Sequence, residues 1–278
     1  MLGWLRSKKK ETNVENNIPS KEYVFNEVEA KEILFEIKQR YGLDYSKQEF
    51  ITMKKIERFA RLNNLFSFRE LRENIKKDSS LYEKLINMLT VGETYFYREV
   101  TQIEYLAKVF QEQNSIKILS APCSSGEEVY SILLYFQSKN LLNHSISIKG
   151  IDINSDALQK AQLGLYNERS TSQLPLELRQ KYFSKEDNYY KIDEQLKRFV
   201  TFERANVFEL NENGEKFDVI LSRNMLIYFD EREKKKVIQK FHTLLKYGGL
   251  LCLGHADISF MPEGFIKENT TSNIYKKV

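Results

Sequence analysis

The chain has 278 residues, of which 41% are hydrophobic and 29% are charged, and its formal net charge is +4. This length allows about two domains, and the composition is that of a globular protein rather than a disordered or fibrous one. The first twenty residues hold four basic and two acidic side chains, so the rest of the chain is nearly neutral, which argues against a broad nucleic-acid-binding surface.

The cysteines and histidines show no pattern that would indicate a metal site or a disulfide framework. There are two Cys and three His, without a CxxC pair or metal-ligand spacing. No apolar run approaches the roughly 20 residues of a membrane span, and the initial "MLGWL" is too short for a signal-peptide core. We therefore expect a cytoplasmic protein that binds no metal and does not insert into the membrane.

The N-terminal third of the chain predicts a tail followed by helices. Residues 1–20 are polar and are expected to be disordered. Over residues 21–92 apolar side chains recur at helical spacing. The segment "AKEILFEIKQRYG" stops at Gly42, a usual C-terminal signal, and Ser67 precedes Glu70 by three residues, as an N-cap does. The stretch 21–92 is therefore predicted to be an all-α domain.

Beyond residue 92 the apolar residues form short continuous runs separated by helical segments. The runs are "SIKILSAP", "SISIKGIDI", "FDVILS" and "GLLCLGH". They predict an α/β domain over 93–278 with a mostly parallel, doubly wound sheet. The C-terminal "GFIKENTTSNIYKKV" predicts an antiparallel edge. A polar, Tyr-rich stretch between Gly164 and Gly214, including "NYYKIDEQLKRFVTFER", predicts a small antiparallel β-subdomain inserted at about 172–203.

The loop after the first predicted strand, "APCSSGEE", lies at the edge where such sheets bind ligands. Ser124, Ser125 and Gly126 would allow close backbone approach, and Glu127 and Glu128 begin the next helix. Two carboxylates and the absence of GxxxxGK[ST] argue against a phosphate site and favour a ligand with a cationic or hydroxyl-rich face. The alternative is an ordinary helix start with acids at its positive end.

Asp152 ends the second predicted strand, in "GIDIN", where a carboxylate can accept hydrogen bonds from ribose hydroxyls. Because the preceding helix start is acidic and the chain has no GxGxxG there, this position favours S-adenosylmethionine over a dinucleotide. Helix capping, the alternative use of an Asp in this stretch, better describes Asp156.

Two further stretches are expected to face the same crevice. In "TVGETYFYRE", Thr94 and Arg98 are four residues apart, and the planar guanidinium of Arg98 suits a carboxylate. "RNMLIYFD" follows the strand "FDVILS", so Arg223 and Asn224 can reach the cofactor crevice and Tyr228 the reacting centre. The structural alternatives are a salt bridge between the domains for Arg98 and a place in the core for Tyr228.

The segment "KKIERFAR" places basic residues on one face of a predicted helix. These residues, the basic stripe, are Lys54, Lys55, Arg58 and Arg61. Such a stripe is either a solvated helix face or a docking surface for an acidic helix.

As a set, these stretches resemble the CheR family, methyltransferases that methylate glutamates of bacterial chemoreceptors. "TYFYRE" matches the family's T-x-F-F-R-E with Tyr97 for the second Phe, and "APCSSGEE" matches A-x-C-S-T-G-E-E with Ser125 for Thr. "RNMLIYFD" is nearly R-N-V-L-I-Y-F, while "GIDIN" and "GHAD" resemble T-D-I-D and G-H-S-E. The matches run in order from about residue 25 to the C-terminus, which makes the set highly specific.

The resemblance implies a class I S-adenosylmethionine-dependent methyltransferase domain, with a small β-subdomain inserted, joined to a helical N-terminal domain. Arg98 and Tyr228 would flank the transferred methyl group as catalytic residues, S-adenosylhomocysteine would be the product, and no metal is implied. It stays open which of the two adjacent glutamates contacts the cofactor. The candidate cofactor-binding residues are Thr94, Arg98, Gly126, Glu127, Glu128, Asp152, Asn206 of "RANVFEL", Arg223 and Asn224.

The resemblance also implies a partner, the cytoplasmic methylation region of chemoreceptors, for a monomeric enzyme that binds no nucleic acid. A glutamate is already ionised at neutral pH, so its methylation needs no general base. Some family members also grip a peptide at the receptor's C-terminus through a glycine-rich loop of the β-subdomain. No glycine occurs between Gly164 and Gly214 here, so we predict an enzyme without this tether.

Two other functions stay open at this point. One is a different S-adenosylmethionine enzyme, acting on a small molecule or on RNA. The other is a non-catalytic module that senses S-adenosylmethionine or docks receptors. A strongly basic groove would indicate the RNA enzyme, whereas loss of Arg98, Asp152 or Tyr228 would indicate the non-catalytic module, and the sequence shows neither.

Overall fold

A computed structural model describes residues 22–90, 92–141, 145–211, 213–269 and 272–278. The tail expected to be disordered, residues 1–20, lies outside these ranges. In the described part of the chain no helix is both long and apolar enough to cross a membrane.

The N-terminal part is a group of four packed helices whose ends follow from local sequence. Gly42 ends the first helix because it takes the left-handed conformation (φ 72°) and its N–H donates to Lys38 O at 2.8 Å. Ser67 begins the third helix, since its Oγ accepts a hydrogen bond from Glu70 N at 3.1 Å. The helices are α1 (Glu27–Tyr41), α2 (Glu49–Leu62), α3 (Phe68–Lys77) and α4 (Ser79–Leu89).

The second part is built on a seven-stranded sheet with the order β6-β2-β1-β7-β8-β10-β9. Its strands are β1 (Ser115–Ser120), β2 (Ser145–Asp152), β6 (Val200–Arg204), β7 (Phe217–Ser222), β8 (Leu245–Leu253), β9 (Phe265–Asn269) and β10 (Ile274–Lys277). The first five in this order pair in parallel, and the two C-terminal strands pair antiparallel. The mostly parallel sheet with an antiparallel edge is confirmed.

Helices cover both faces of this sheet. They are α5 (Val100–Val109), α6 (Glu127–Ser138), α7 (Ser155–Leu163) and α11 (Glu231–Leu244). Alternate residues of β7 enter different cores: Val219 and Leu221 pack with α5 and α6, whereas Ile220 packs with α11. The core that contains Ile220 also contains the buried side chains of α1 to α4. The helical domain and one face of the sheet therefore share a single core.

The inserted antiparallel sheet has the order β3-β5-β4 and is confirmed in kind. Its strands are β3 (Leu165–Asn167), β4 (Phe183–Glu186) and β5 (Tyr189–Ile192), accompanied by α8 (Glu168–Thr171), α9 (Leu176–Tyr182) and α10 (Glu194–Lys197). Its bounds differ from the expected 172–203. The assignment of "VTFER" to this sheet was wrong, because β6 pairs in parallel with β2. As an edge strand β6 exposes alternate residues, which gives it the pattern of an antiparallel strand.

Candidate active site

A cavity of about 310 Å³ lies at the carboxyl ends of the parallel strands, and residues of the helical domain form its opposite side. The exits of β1, β2, β6 and β7 form one wall, while Tyr41, Leu43 and Tyr45 contribute the other. Eight of the candidate residues line it: Thr94, Arg98, Glu128, Asp152, Asn206, Arg223, Asn224 and Tyr228. Gly126 and Glu127 do not. The strand ends therefore bring most of the expected site together.

Gly126 and Glu127 contribute to packing instead. Gly126 has φ 88°, and a Cβ there would lie 2.9 Å from the Ala161 Cβ, so the turn into α6 requires glycine. Glu127 is buried, its Oε2 accepts a hydrogen bond from Ser125 Oγ at 2.7 Å, and burial raises the pKa of its carboxyl. Of the two adjacent glutamates, the second is the one at the cavity.

Glu128 and Arg223 form a buried ion pair in the cavity wall. Glu128 Oε1 also accepts a hydrogen bond from Ser120 Oγ at 2.7 Å, and Arg223 Nη1 donates to the carbonyl of Arg98 at 2.6 Å. Burial alone would lower the pKa of Arg223, but the Glu128 carboxylate raises it. The pair therefore ties the exit of β7 to the segment that carries Arg98.

Asp152 presents a carboxylate with acceptor capacity to spare. It is buried, and Oδ1 accepts from Asn154 N at 2.9 Å while Oδ2 accepts from Ser124 N at 2.8 Å. Burial raises the pKa of Asp152 and the backbone hydrogen bonds oppose that rise. Because a carboxylate oxygen can accept two hydrogen bonds, Asp152 keeps acceptor capacity for a hydroxyl in the cavity.

Asn206 lines the cavity, but its amide is already bonded at both ends. Nδ2 donates to the carbonyl of Arg40 at 2.9 Å, and Oδ1 accepts from Phe208 N at 3.2 Å. Asn206 therefore joins the helical domain to the exit of β6.

The loop that carries Asn224 and Tyr228 is held by Asp257, a residue that was not among those predicted from the sequence. Asp257 Oδ2 accepts hydrogen bonds from Gly254 N at 2.7 Å and from Asn224 N at 2.8 Å, and Oδ1 accepts from Leu226 N at 2.9 Å. Asn224 takes a left-handed conformation (φ 61°), and its buried Oδ1 has no hydrogen-bond partner among the described residues. The only sequence signal for Asp257 was its place in "GHAD".

Tyr228 and Arg98 lie at the mouth of the cavity. Tyr228 is 38% exposed, so it is not the core aromatic that the alternative reading required. Arg98 Nη1 donates to Glu93 O at 2.9 Å, and in the described ranges no carboxylate forms a salt bridge with Arg98, which argues against a domain-packing ion pair. Residues with positive φ flank it, Tyr97 (61°) and Glu99 (51°).

The basic stripe lies on α2, away from the cavity, and is partly neutralised. Lys54 and Arg61 both pair with Glu57, at 3.0 and 2.9 Å, and the Arg61 guanidinium also lies 4.3 Å from the ring centroid of Tyr23. Lys55 and Arg58 are exposed and form no ion pair with other described residues. Only these two present unpaired positive charge.

Comparisons with known proteins show which proteins this chain is similar to. Residues 92–274 match the family model described as "CheR methyltransferase, SAM binding domain". A "Chemotaxis protein methyltransferase" of Campylobacter jejuni is 38% identical over 84% of this chain and 89% of its own. "Chemotaxis protein methyltransferase 2" of Vibrio cholerae is 34% identical over 81% and 80%, and a "Chemotaxis protein methyltransferase" of Borreliella burgdorferi 30% identical over 78% and 83%. On the family match and these relatives, the chain belongs to the CheR methyltransferase family, whose matched domain binds S-adenosylmethionine.

Proposed function

We propose that the protein transfers a methyl group from S-adenosylmethionine to glutamate side-chain carboxylates of chemoreceptors, giving methyl esters in chemotaxis adaptation. The observation that carries this proposal is the position of Arg98 and Tyr228 at the mouth of a cavity whose wall holds Asp152. The names of the relatives, chemotaxis protein methyltransferases, support chemoreceptors as the substrate class.

The cavity fits S-adenosylmethionine by size and by chemistry. A volume of about 310 Å³ is within the range of small-molecule sites. Asp152 would accept hydrogen bonds from the two ribose hydroxyls. The carboxylate of Glu128 would face the ammonium group, and Asn224 and Thr94 lie on the same wall.

When bound, S-adenosylmethionine supplies an electrophilic methyl group on a positively charged sulfur and leaves as neutral S-adenosylhomocysteine. Arg98 would orient the incoming carboxylate with its remaining N–H groups, and the hydroxyl of Tyr228 would donate a hydrogen bond to it. One carboxylate oxygen forms the new bond to carbon, and no proton has to be removed because the group is already ionised. The protein's contribution is positioning and exclusion of water.

The receptor would dock on the helical domain. Lys55 and Arg58 offer unpaired charge to the acidic helices of a receptor, with Lys54 and Arg61 at the margins. We propose that the protein acts as a monomer and binds the receptor through this surface.

We also propose that no receptor tail is needed. The missing glycine was the reason for this expectation, and that reason fails, because Asp187 reaches a left-handed conformation (φ 51°) without being glycine. The structure supports the proposal on a different ground, the length of the β4–β5 connection: Asp187 and Asn188 alone form the turn, which leaves no loop to enclose a peptide. Titration with a receptor C-terminal pentapeptide tests this, and micromolar binding would contradict it.

Radiolabelled methyl transfer to receptor-containing membranes tests the main proposal. We expect protein-bound label that base releases as methanol, the mark of a methyl ester. Arg98→Ala should abolish most of the transfer and Tyr228→Phe should reduce it less, with both variants keeping their fold. Base-stable label, or label found in RNA, would refute the proposal, as would full activity of both variants.

A further inference from the structure

The end of α1 lies against the loop that carries Tyr228, and one lysine joins the two. Lys38 Nζ lies 3.0 Å from Asp44 Oδ2 and 2.9 Å from Asp230 Oδ2. Asp44 follows α1 in the helical domain, while Asp230 comes two residues after Tyr228 and caps α11. We propose that Lys38 is a positioning residue: with Asp44 and Asp230 it forms a clamp that fastens the Tyr228 loop to the helical domain.

A backbone hydrogen bond completes this clamp. The N–H of Asp44 donates to the carbonyl of Tyr228 at 2.7 Å. Lys38 thus pairs with Asp44, whose backbone N–H binds the Tyr228 carbonyl, and it also pairs with Asp230, two residues after Tyr228. The backbone of Tyr228 is fixed while its side chain remains 38% exposed at the cavity mouth.

Close packing beside the clamp sets its position. Gly42 has φ 72°, and a Cβ there would lie 2.7 Å from the ring of Phe208 and 3.5 Å from that of Phe229. The chain leaving α1 is therefore pressed against the residue next to Tyr228. Because there is no room for a side chain at position 42, the close contact with Phe208 and Phe229 fixes how near the segment that carries Asp44 lies to the Tyr228 loop.

The charges of the clamp support one another. The hydrogen bonds with Asp230 and then Asp44 raise the pKa of Lys38, and the bond from Lys38 lowers the pKa of Asp230. All three groups are therefore charged at neutral pH. The side chains of Lys38, Asp44 and Asp230 are 33%, 20% and 34% exposed, so added salt should screen the clamp.

Hydrogen exchange tests the clamp without any assumption about the reaction. In Lys38→Met, the peptides covering 41–45 and 226–230 should exchange several-fold faster, while peptides from α2 and α4 should not change. Lys31→Met is the matched control: Lys31 lies on the same helix, is 56% exposed and pairs with Glu49 at 3.1 Å, within the helical domain. Unchanged exchange of 226–230 in Lys38→Met would overturn the proposal.

Asp230→Asn gives a second variant should Lys38→Met be poorly folded. Asn can still cap α11, as Asp230 does now by accepting from Glu233 N at 3.0 Å, but it removes the charge that meets Lys38. It should raise exchange over the same two segments. If it leaves both unchanged, the ion pair does not hold the loop.

Kinetics tests the link to Tyr228, and this arm rests on the proposed function. Lys38→Met should lower kcat by about fivefold with little change in KM for S-adenosylmethionine, and Lys38→Arg should recover most of it. In a Tyr228→Phe background the same change should cost less than about twofold, because the hydroxyl being positioned is absent. An equal loss in both backgrounds would overturn positioning through Tyr228. A wild type without methyl transfer, but with the expected exchange, would refute the proposed function and leave the clamp standing.

Discussion

Replacing Asp257 by Asn should weaken both the fold and cofactor binding, because one carboxylate holds two separate segments. Its side chain is fully buried, with two backbone N–H groups on Oδ2 (Gly254 at 2.7 Å, Asn224 at 2.8 Å) and one on Oδ1 (Leu226 at 2.9 Å). In the variant the carbonyl oxygen can keep the first two bonds. The new NH₂ then faces the Leu226 N–H, so two donors oppose each other.

The magnitude follows from that geometry. Loss of one hydrogen bond to a charged acceptor costs about 1.5–3 kcal/mol, and an unsatisfied buried donor adds about 1–3 kcal/mol. A neutral amide recovers part of this, because burial raises the pKa of Asp257 and so makes its ionised form costly. We expect a net loss of about 2 kcal/mol in the free energy of unfolding and, through displacement of Asn224, about tenfold weaker binding of S-adenosylmethionine.

Urea denaturation measures the first effect and calorimetric titration the second. The matched control is Asp156→Asn, an exposed acid in the first turn of α7, which should change stability by less than about 0.5 kcal/mol. Wild-type stability of Asp257→Asn would refute the hydrogen-bond argument. Reduced stability with unchanged cofactor affinity would show that the loop is not coupled to the cofactor.

Four further predictions concern charged groups. Asp152→Asn should weaken S-adenosylmethionine binding by about 1–3 kcal/mol, and an unchanged Kd in calorimetry would remove Asp152 from the site. Glu128→Gln should lower the urea midpoint because its cationic partner stays buried, whereas Glu127→Gln should keep cofactor affinity. Burial raises the pKa of Glu127, so the wild type loses stability as the pH rises above 4.5, the ordinary pKa of this group, and through its raised pKa in the folded protein. Over that rise Glu127→Gln, which does not titrate at this position, should gain stability relative to the wild type in urea unfolding. Reversing Lys55 and Arg58 to Glu should raise KM for receptor at low salt, an effect that must shrink as salt increases.

Sequence predicted those features whose causes are local. The caps at Gly42 and Ser67 depend on residues within a few positions, and the apolar runs identified the strands because buried parallel strands are continuously apolar. Asp152 and Arg223 followed from strand ends, which the sheet then brings together. The partial neutralisation of the basic stripe by Glu57 was also readable, since it lies three and four residues away.

What sequence did not predict depends on distant contacts. Asp257 lies 33 residues from Asn224, and no local pattern marks a carboxylate whose donors are that far along the chain. The choice between Glu127 and Glu128 could not be made, because adjacent helix positions point about 100° apart and only the packed helix shows which faces the cavity. The strand at 200–204 was misassigned because an edge position gives parallel and antiparallel strands the same alternation.

Because the helical domain and one face of the sheet share a core, the sequence boundary between the two domains does not separate two independently folding units. The family match begins at residue 92, where the helices have just ended. Yet Phe229 and Phe241 of the sheet domain lie in one cluster with Ile33, Ile56 and other side chains of the helices. Cutting the chain at this point would expose to water the core side chains of both fragments. The helical domain therefore cannot be trimmed, or exchanged between relatives, unless the sheet face that packs against it is redesigned at the same time.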